Sequence, residues 1–175
     1  MEAAIVRRAT GEDAELLGVI GPAAYAEACA CLWDRADAYT DQLRTFGQRA
    51  FSALFARAEA WVWISEVNGA AVGFLSMIVG SLDPIEHRSG GAELSRIYVL
   101  GPAQRIGVGQ LLLDASIAQA AVEGLSHVWL DVMASADLAR RAYAKWGFRE
   151  LGTSQFRKPV KAGLSNMVVL AKEVP

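Results

Sequence analysis

The strongest constraint on the fold of this chain is a turn with two glycines between a β-rich run and a long apolar run. The turn spans Gln104–Gly109, the run before it Ala92–Leu100 and the run after it Gly107–Val122. Glycines at the start of a helix remove side chains where backbone N–H groups converge, which favours a bound anion. The helix dipole and the charge of Arg105 suit a diphosphate better than a neutral ligand. A tight turn without a ligand is the alternative.

The helix predicted over Gly107–Val122 lies between two strand-like runs, Ala92–Leu100 and His127–Met133. A parallel strand pair needs a crossover of this kind. Ligands of such folds bind at the carboxyl ends of the strands, so we expect Gln104–Gln110 to lie at the site.

The remaining elements predict a mixed α/β arrangement. Asn68-Gly69 is typical of a hairpin turn between strands Trp61–Val67 and Ala71–Val79. Gly80–Gly91 reads as a loop. The other expectations are a strand at Ala4–Arg8, a capping pair at Thr10 and Asp13, two short helices broken at Gly21-Pro22, a helix over Tyr39–Ala58, a helix over Asp137–Trp146 ended by Gly147, and two final strands.

Length and composition narrow the class of protein. A chain of 175 residues fits one domain, 1–175. The residues are 53% hydrophobic, yet we see no apolar run long enough for a membrane span and no secretory signal, so a cytoplasmic location is expected. The net charge of −2 provides no basic surplus for nucleic acid.

The cysteines and histidines do not indicate a metal site. Cys29 and Cys31 are two apart in a helical stretch and are expected to be buried thiols. His87 and His127 are distant from them and from each other, so we expect neither a zinc site nor a disulfide framework.

A dinucleotide-binding fold is the alternative interpretation of the glycine turn Gln104–Gly109. Gly107 and Gly109 would begin its fingerprint, and Asp131 would be its ribose-binding acid. Leu112 stands where the third glycine belongs, however, and the chain after Gly109 is too short to complete such a sheet.

Two motifs resemble the GNAT N-acetyltransferase superfamily. The run from Glu93 to Val99 followed by the turn is similar to the family's acetyl-CoA motif, and Ala139, Tyr143, Gly147 and Phe148 have the spacing of its second signature. The resemblance implies a mostly antiparallel sheet of six to seven strands, flanked by helices, with central splayed parallel strands. It implies an enzyme that uses acetyl-CoA as co-substrate, without a metal.

The resemblance also implies which residues bind the cofactor. Those near the pantetheine arm are Ile97, Tyr98 and Val99, and those at the pyrophosphate are Arg105, Ile106, Gly107, Val108, Gly109 and Gln110. Lys145 is a candidate for the nucleotide phosphates or a solvated charge. Ala136 replaces a frequent family asparagine, and Ser135 or Asp137 is expected to substitute for it.

Acetyl transfer requires a neutral amine, so a base must take its proton. Glu93 occupies the position of the glutamate base in some family members; the alternatives are that it caps the strand or pairs with Arg96, or that a water chain carries the proton. Tyr143 resembles the tyrosine that protonates the leaving thiolate, with a core aromatic as the alternative. The backbone N–H of Ile97 would polarise the carbonyl oxygen.

Of the components of the reaction, the acceptor amine is the one that the sequence defines least. The nearest likeness is to bacterial spermidine and spermine N-acetyltransferases, and acids in the variable helices would suit a small amine or polyamine: Glu27, Asp34, Asp37 and Asp41. Trp61 and Trp63 line a pocket or belong to the core. The alternatives are a protein N-terminal or lysine acetyltransferase and a non-catalytic acyl-CoA-binding module. Either a monomer or a homodimer is expected.

Overall fold

Seven strands form one sheet in the order β1-β2-β3-β4-β5-β7-β6. The computed structural model describes residues 4–175. All neighbouring strands are antiparallel except β4 and β5, which are parallel. The strands are β1 Ile5–Arg8, β2 Ala60–Val67, β3 Ala70–Val79, β4 Gly91–Val99, β5 His127–Met133, β6 Arg149–Gln155 and β7 Asn166–Glu173.

Helices cover both faces of this sheet. They are α1 Ala14–Cys29, α2 Ala36–Arg44, α3 Gln48–Phe55, α4 Val108–Val122 and α5 Asp137–Lys145. One apolar cluster joins α4 and Tyr143 of α5 to one face, and another joins α1, α2 and α3 to the opposite face. The predicted fold class, with its parallel central pair, is confirmed.

The turn after β2 follows the sequence prediction. Asn68 and Gly69 have φ of 52° and 75°, which are the left-handed conformations that a two-residue hairpin requires. Local turn chemistry therefore fixes the pairing of β2 with β3.

The predicted break of the first helix is wrong. Helix α1 continues through Pro22, because glycines on its surface let it pack closely on the segment around α3. A Cβ on Gly21 would lie 3.0 Å from the carbonyl oxygen of Phe46, and one on Gly18 would lie 2.5 Å from the backbone nitrogen of Gln48. Tertiary packing thus outweighs the hydrogen bond that proline cannot donate.

The helix predicted over Tyr39–Ala58 is instead two helices, α2 and α3, separated at residues 45–47. Gly47 caps α3 with an extended backbone, φ −77° and ψ 169°. Between the two helices Phe46 is buried, with its ring 4.6 Å from that of Tyr25. The helix is interrupted where this side chain is buried. The periodicity of the sequence did not reveal the interruption.

Two further expectations for the first helical segment need correction. Cys31 is exposed and Cys29 half-buried, since the chain leaves α1 through a single 3-10 turn here. By length and composition, the helical stretch Gly11–Leu32 would suffice to cross a membrane, contrary to the sequence prediction. Core helices of globular proteins share this composition, and Leu17 and Ala24 pack into the core here.

Gly18→Ala is expected to destabilise the protein by about 1–3 kcal/mol, because its methyl group would overpack the α1–α3 contact. Urea unfolding measures this change. Gly11→Ala is the matched control, since a Cβ there meets nothing within 4 Å. Equal unfolding midpoints for the two variants would contradict the close packing of α1 and α3.

Candidate active site

The parallel strands β4 and β5 pair over only three residues and then separate. Their register ends at Glu93 opposite Trp129. A bulge in β4 leaves Ser95 without a partner residue in β3, and its hydroxyl lies 2.9 Å from that of Ser76. Past this point a cleft of about 1200 Å³ opens, bordered by Ser95–Val99 on one side and Leu130–Met133 on the other.

The glycine turn forms one end of this cleft. Gly107 caps α4 with φ of 91°, and Arg105 has φ of 64°. The first backbone hydrogen bond of α4 is donated by the N–H of Leu111 to the carbonyl oxygen of Gly107. Within residues 4–175, the N–H groups before it in the first turn of α4 therefore have no backbone acceptor. They remain available for an anion.

Gly109 and Gln104 hold this turn in place. A Cβ on Gly109 would lie 3.2 Å from the ring of Trp146, so glycine allows α4 and α5 to approach. The side-chain amide of Gln104 donates to the carbonyl oxygen of Val99 at 2.9 Å, which ties the turn to the end of β4.

Most of the residues assigned from the sequence come together in this cleft. Those that line it are Ile97, Tyr98, Val99, Arg105, Gly107, Gly109, Gln110, Asp137, Tyr143 and Lys145. The side chain of Val108 is buried in the core and that of Ile106 is exposed, so neither lines the cleft. Ser135, Ala136 and Asp137 lie side by side at the start of α5, where the asparagine substitute was expected.

Tyr143 is a buried phenol that lines the cleft. Its ring packs edge-to-face against Trp146 at 5.6 Å and against Phe148 at 5.5 Å. Burial raises the pKa of Tyr143, and the carboxylate of Asp131 raises it further. The hydroxyl group is therefore protonated at neutral pH and can donate a hydrogen bond, and its raised pKa makes it a weaker acid than an ordinary tyrosine.

Glu93 does not line the cleft. Its carboxylate accepts a hydrogen bond from the hydroxyl of Ser81 at 3.0 Å, and the carbonyl of Ser81 accepts one from the indole of Trp129 at 2.9 Å. Burial raises the pKa of Glu93, and the charge of Asp131 adds to this against the opposing effect of Ser81. No ion pair joins Glu93 to Arg96 in the part of the chain described.

The carboxylate residue Asp131 lines the cleft directly. The residue is exposed to the cleft, and partial desolvation by the protein atoms around it raises the pKa of its carboxyl group. From the sequence, Asp131 is expected only as a ribose ligand of a dinucleotide fold. Asp131 lies two residues from both Trp129 and Met133 along β5. This spacing was the available signal that the three side chains share one face of the sheet.

The other end of the cleft, which we call the aromatic end, is lined by Tyr25, Gln42, Phe46, Arg96, Tyr98 and Phe156. Tyr98 packs 5.4 Å from Phe46 and 5.7 Å from Tyr25. The Arg96 guanidinium lies 4.5 Å from the centre of the Phe46 ring. Of these residues, only Tyr98 is predicted from the sequence to belong to the site.

Three of the four acids proposed for the acceptor lie outside the cleft lining. Asp37 and Asp41 pair with neighbouring arginines, Arg35 and Arg44, on exposed surface. Asp34 is also exposed. Glu27 does line the cleft, and it accepts a hydrogen bond from the N–H of Gly101 at 2.6 Å.

Trp61 and Trp63 belong to the opposite face of the sheet from the aromatic end. Both pack in the α4-side cluster, and the guanidinium of Arg8 lies 4.6 Å from the Trp63 ring. Of the two interpretations left open, the structure supports the core.

Among residues 4–175, no three His, Cys, Asp or Glu side chains group as metal ligands. The chemical groups of the cleft are anion-binding amides, a buried phenol, the Asp131 carboxyl with its raised pKa and a guanidinium, and Glu93 lies just behind the cleft wall.

The chain belongs to the acetyltransferase (GNAT) family, whose model matches residues 27–148. Uncharacterized N-acetyltransferases of Mycobacterium tuberculosis and Mycobacterium bovis are 33% identical to it over 107 residues, which is 61% of this chain. The match spans 63% of the length of these curated relatives.

Solved structures share the fold over nearly the whole chain. PaiA N-acetyltransferase from Thermoplasma acidophilum, in complex with coenzyme A, has a TM-score of 0.80 with 16% identity, covering 98% of this chain and 99% of that one. An N-acetyltransferase from Staphylococcus aureus Mu50 has a TM-score of 0.75 with 20% identity, covering 99% and 100%.

Proposed function

We propose that this protein is an acetyl-CoA-dependent N-acetyltransferase that acts on a small primary amine in a ternary complex. The observation that carries the proposal is the cleft between β4 and β5, with free helix N–H groups at one end and the buried phenol of Tyr143 in its wall. The N-acetyltransferase names of the mycobacterial relatives and the coenzyme A in the Thermoplasma structure support it.

In this proposal the cofactor lies along the cleft from the turn to the separated strands. The amides of the first turn of α4 and the charge of Arg105 bind the pyrophosphate, and Lys145 faces the nucleotide phosphates. Ile97 and Val99 offer backbone groups to the pantetheine arm. Ser135 or Asp137 takes the contact of the missing asparagine.

The reaction needs no covalent intermediate on the protein. The neutral amine attacks the thioester carbon, the new C–N bond forms and the C–S bond breaks. Tyr143 gives its proton to the departing sulfur, and the N–H of Ile97 stabilises the oxyanion. Glu93 takes the amine proton through one water molecule, since its carboxylate stands behind the cleft wall.

Gly107→Val is expected to weaken acetyl-CoA binding by about tenfold to a hundredfold. Valine is strained at φ of 91°, and the displaced amides would lose a charged hydrogen bond. Titration calorimetry measures the affinity. Gly124→Val is the matched control, because Gly124 also has positive φ, 72°, and open surroundings, at the far end of α4. Unchanged affinity in a folded Gly107→Val protein would contradict the anion cradle.

A polyamine acceptor draws little support from the charges of the cleft, because three of the four acids are exposed elsewhere. We therefore keep the proposal at a small amine, with peptide and lysine amines as alternatives. A non-catalytic acyl-CoA sensor has no need of a buried phenol facing the cofactor. A cytoplasmic monomer or homodimer remains part of this proposal.

A further inference from the structure

We propose that the acceptor amine carries a carboxylate and that Arg96 binds it at the aromatic end of the cleft. This inference rests on the proposed acetyl transfer and names its substrate class. It departs from the polyamine expectation, since a polycation and a free guanidinium repel each other.

Two aromatic rings fix the position of Arg96. Its guanidinium lies 4.5 Å from the centre of the Phe46 ring and 5.6 Å from that of Phe51. Both rings are buried, and Phe51 itself packs against Phe74 at 5.4 Å. The cation is therefore held beside β4, one residue before Ile97, whose amide stabilises the oxyanion in the proposed reaction.

Arg96 has no partner for its charge. Within residues 4–175 none of its nitrogens makes a hydrogen bond, and no carboxylate lies within 4 Å of them; nor is any of them sealed from solvent. The side chain lines the cleft and its nitrogens are accessible to solvent, so a ligand in the cleft can reach its donors. A guanidinium stays charged at any physiological pH, so a half-buried one without a counterion favours an anionic ligand.

The charged groups around Arg96 do not neutralise it. Glu93 shares its strand face, but the Glu93 carboxylate accepts from Ser81. Lys158 adds a second cation, whose ammonium donates to the side chain of Gln42 in the cleft wall. Asp131 stands on the other separated strand, beyond ion-pair distance of Arg96, where it faces an ammonium more readily than an anion.

A carboxylate fits this arrangement best. The planar guanidinium binds a carboxylate through two parallel hydrogen bonds, and the aromatic walls surround an apolar body. The acceptor class is thus an amino acid, with its amine toward the separated strands and its carboxylate on Arg96.

The test measures binding of matched pairs to CoA-saturated protein by titration calorimetry. The pairs are L-phenylalanine with 2-phenylethylamine, L-leucine with 3-methylbutylamine, and 4-aminobutyrate with propylamine. We expect at least one acid to bind about tenfold or more tightly than its partner. Arg96→Met should remove that preference and leave CoA affinity unchanged.

Arg8→Met is the matched control, because Arg8 also stacks on aromatic rings, those of Trp61 and Trp63, away from the cleft. The inference is overturned if no acid binds more tightly than its partner, or if Arg96→Met keeps the preference. Tighter binding of 3-aminopropylphosphonate than of 4-aminobutyrate would overturn the carboxylate assignment. Acetylation of only the amines that lack a carboxylate would defeat this inference and leave the proposed function standing, whereas failure to bind CoA would defeat the proposed function itself.

Discussion

Tyr143→Phe should lower kcat for acetyl transfer by about 100-fold or more, because a positioned proton donor typically contributes 10²- to 10⁴-fold. The phenylalanine ring preserves the contacts with Trp146 and Phe148, so stability and acetyl-CoA affinity should not change. Thiol release under saturating acetyl-CoA measures kcat, and calorimetry measures the affinity.

Tyr39→Phe is the control for this variant, since Tyr39 is half-buried and does not line the cleft. If Tyr143→Phe turned over at the rate of the unaltered protein, Tyr143 would be a core aromatic and the thiolate would take its proton elsewhere.

Glu93→Gln should lower kcat/KM by about 100-fold or more on its pH plateau, for the same reason. The base acts only when ionised, and burial raises the pKa of Glu93. Activity in the unaltered protein should therefore fall with decreasing pH at a higher pH than an ordinary glutamate, with pKa 4.5, would produce. The glutamine variant should lose this acid limb.

Asp131→Asn provides the comparison, because Asp131 shares the sheet face of Glu93 and its pKa is also raised by burial. If Glu93 is the base, the Asp131→Asn enzyme keeps an acid limb, moved to lower pH by the loss of a neighbouring negative charge. If instead the acid limb disappeared in Asp131→Asn and persisted in Glu93→Gln, Asp131 would be the general base.

The parts of this site that the sequence predicts are those with local signals. Glycines at 107 and 109 mark the turn, Asn68-Gly69 marks the hairpin, and the apolar runs on either side of α4 mark the parallel pair. Each signal acts within a few residues, so one chain is enough to read it.

The features that the sequence did not predict depend on contacts between distant segments. Helix α1 passes Pro22 because it packs on the segment around α3, and the chain breaks before α3 where Phe46 enters the core. Arg96 reads as an ordinary strand charge until Phe46 and Phe51 are brought over it. Likewise only the structure shows that Asp37 and Asp41 point to local arginines.

The most direct test of the account is acetyl-CoA-dependent thiol release by the purified protein, with product mass measured for each amine. The panel holds the amino acids and their decarboxylated partners, spermidine, a peptide with a free N terminus and a lysine-bearing peptide. We expect one thiol to be released for each N-acetyl product, with at least one amino acid as acceptor. Thiol release at the buffer rate with every amine would contradict acetyl transfer as the function of this cleft.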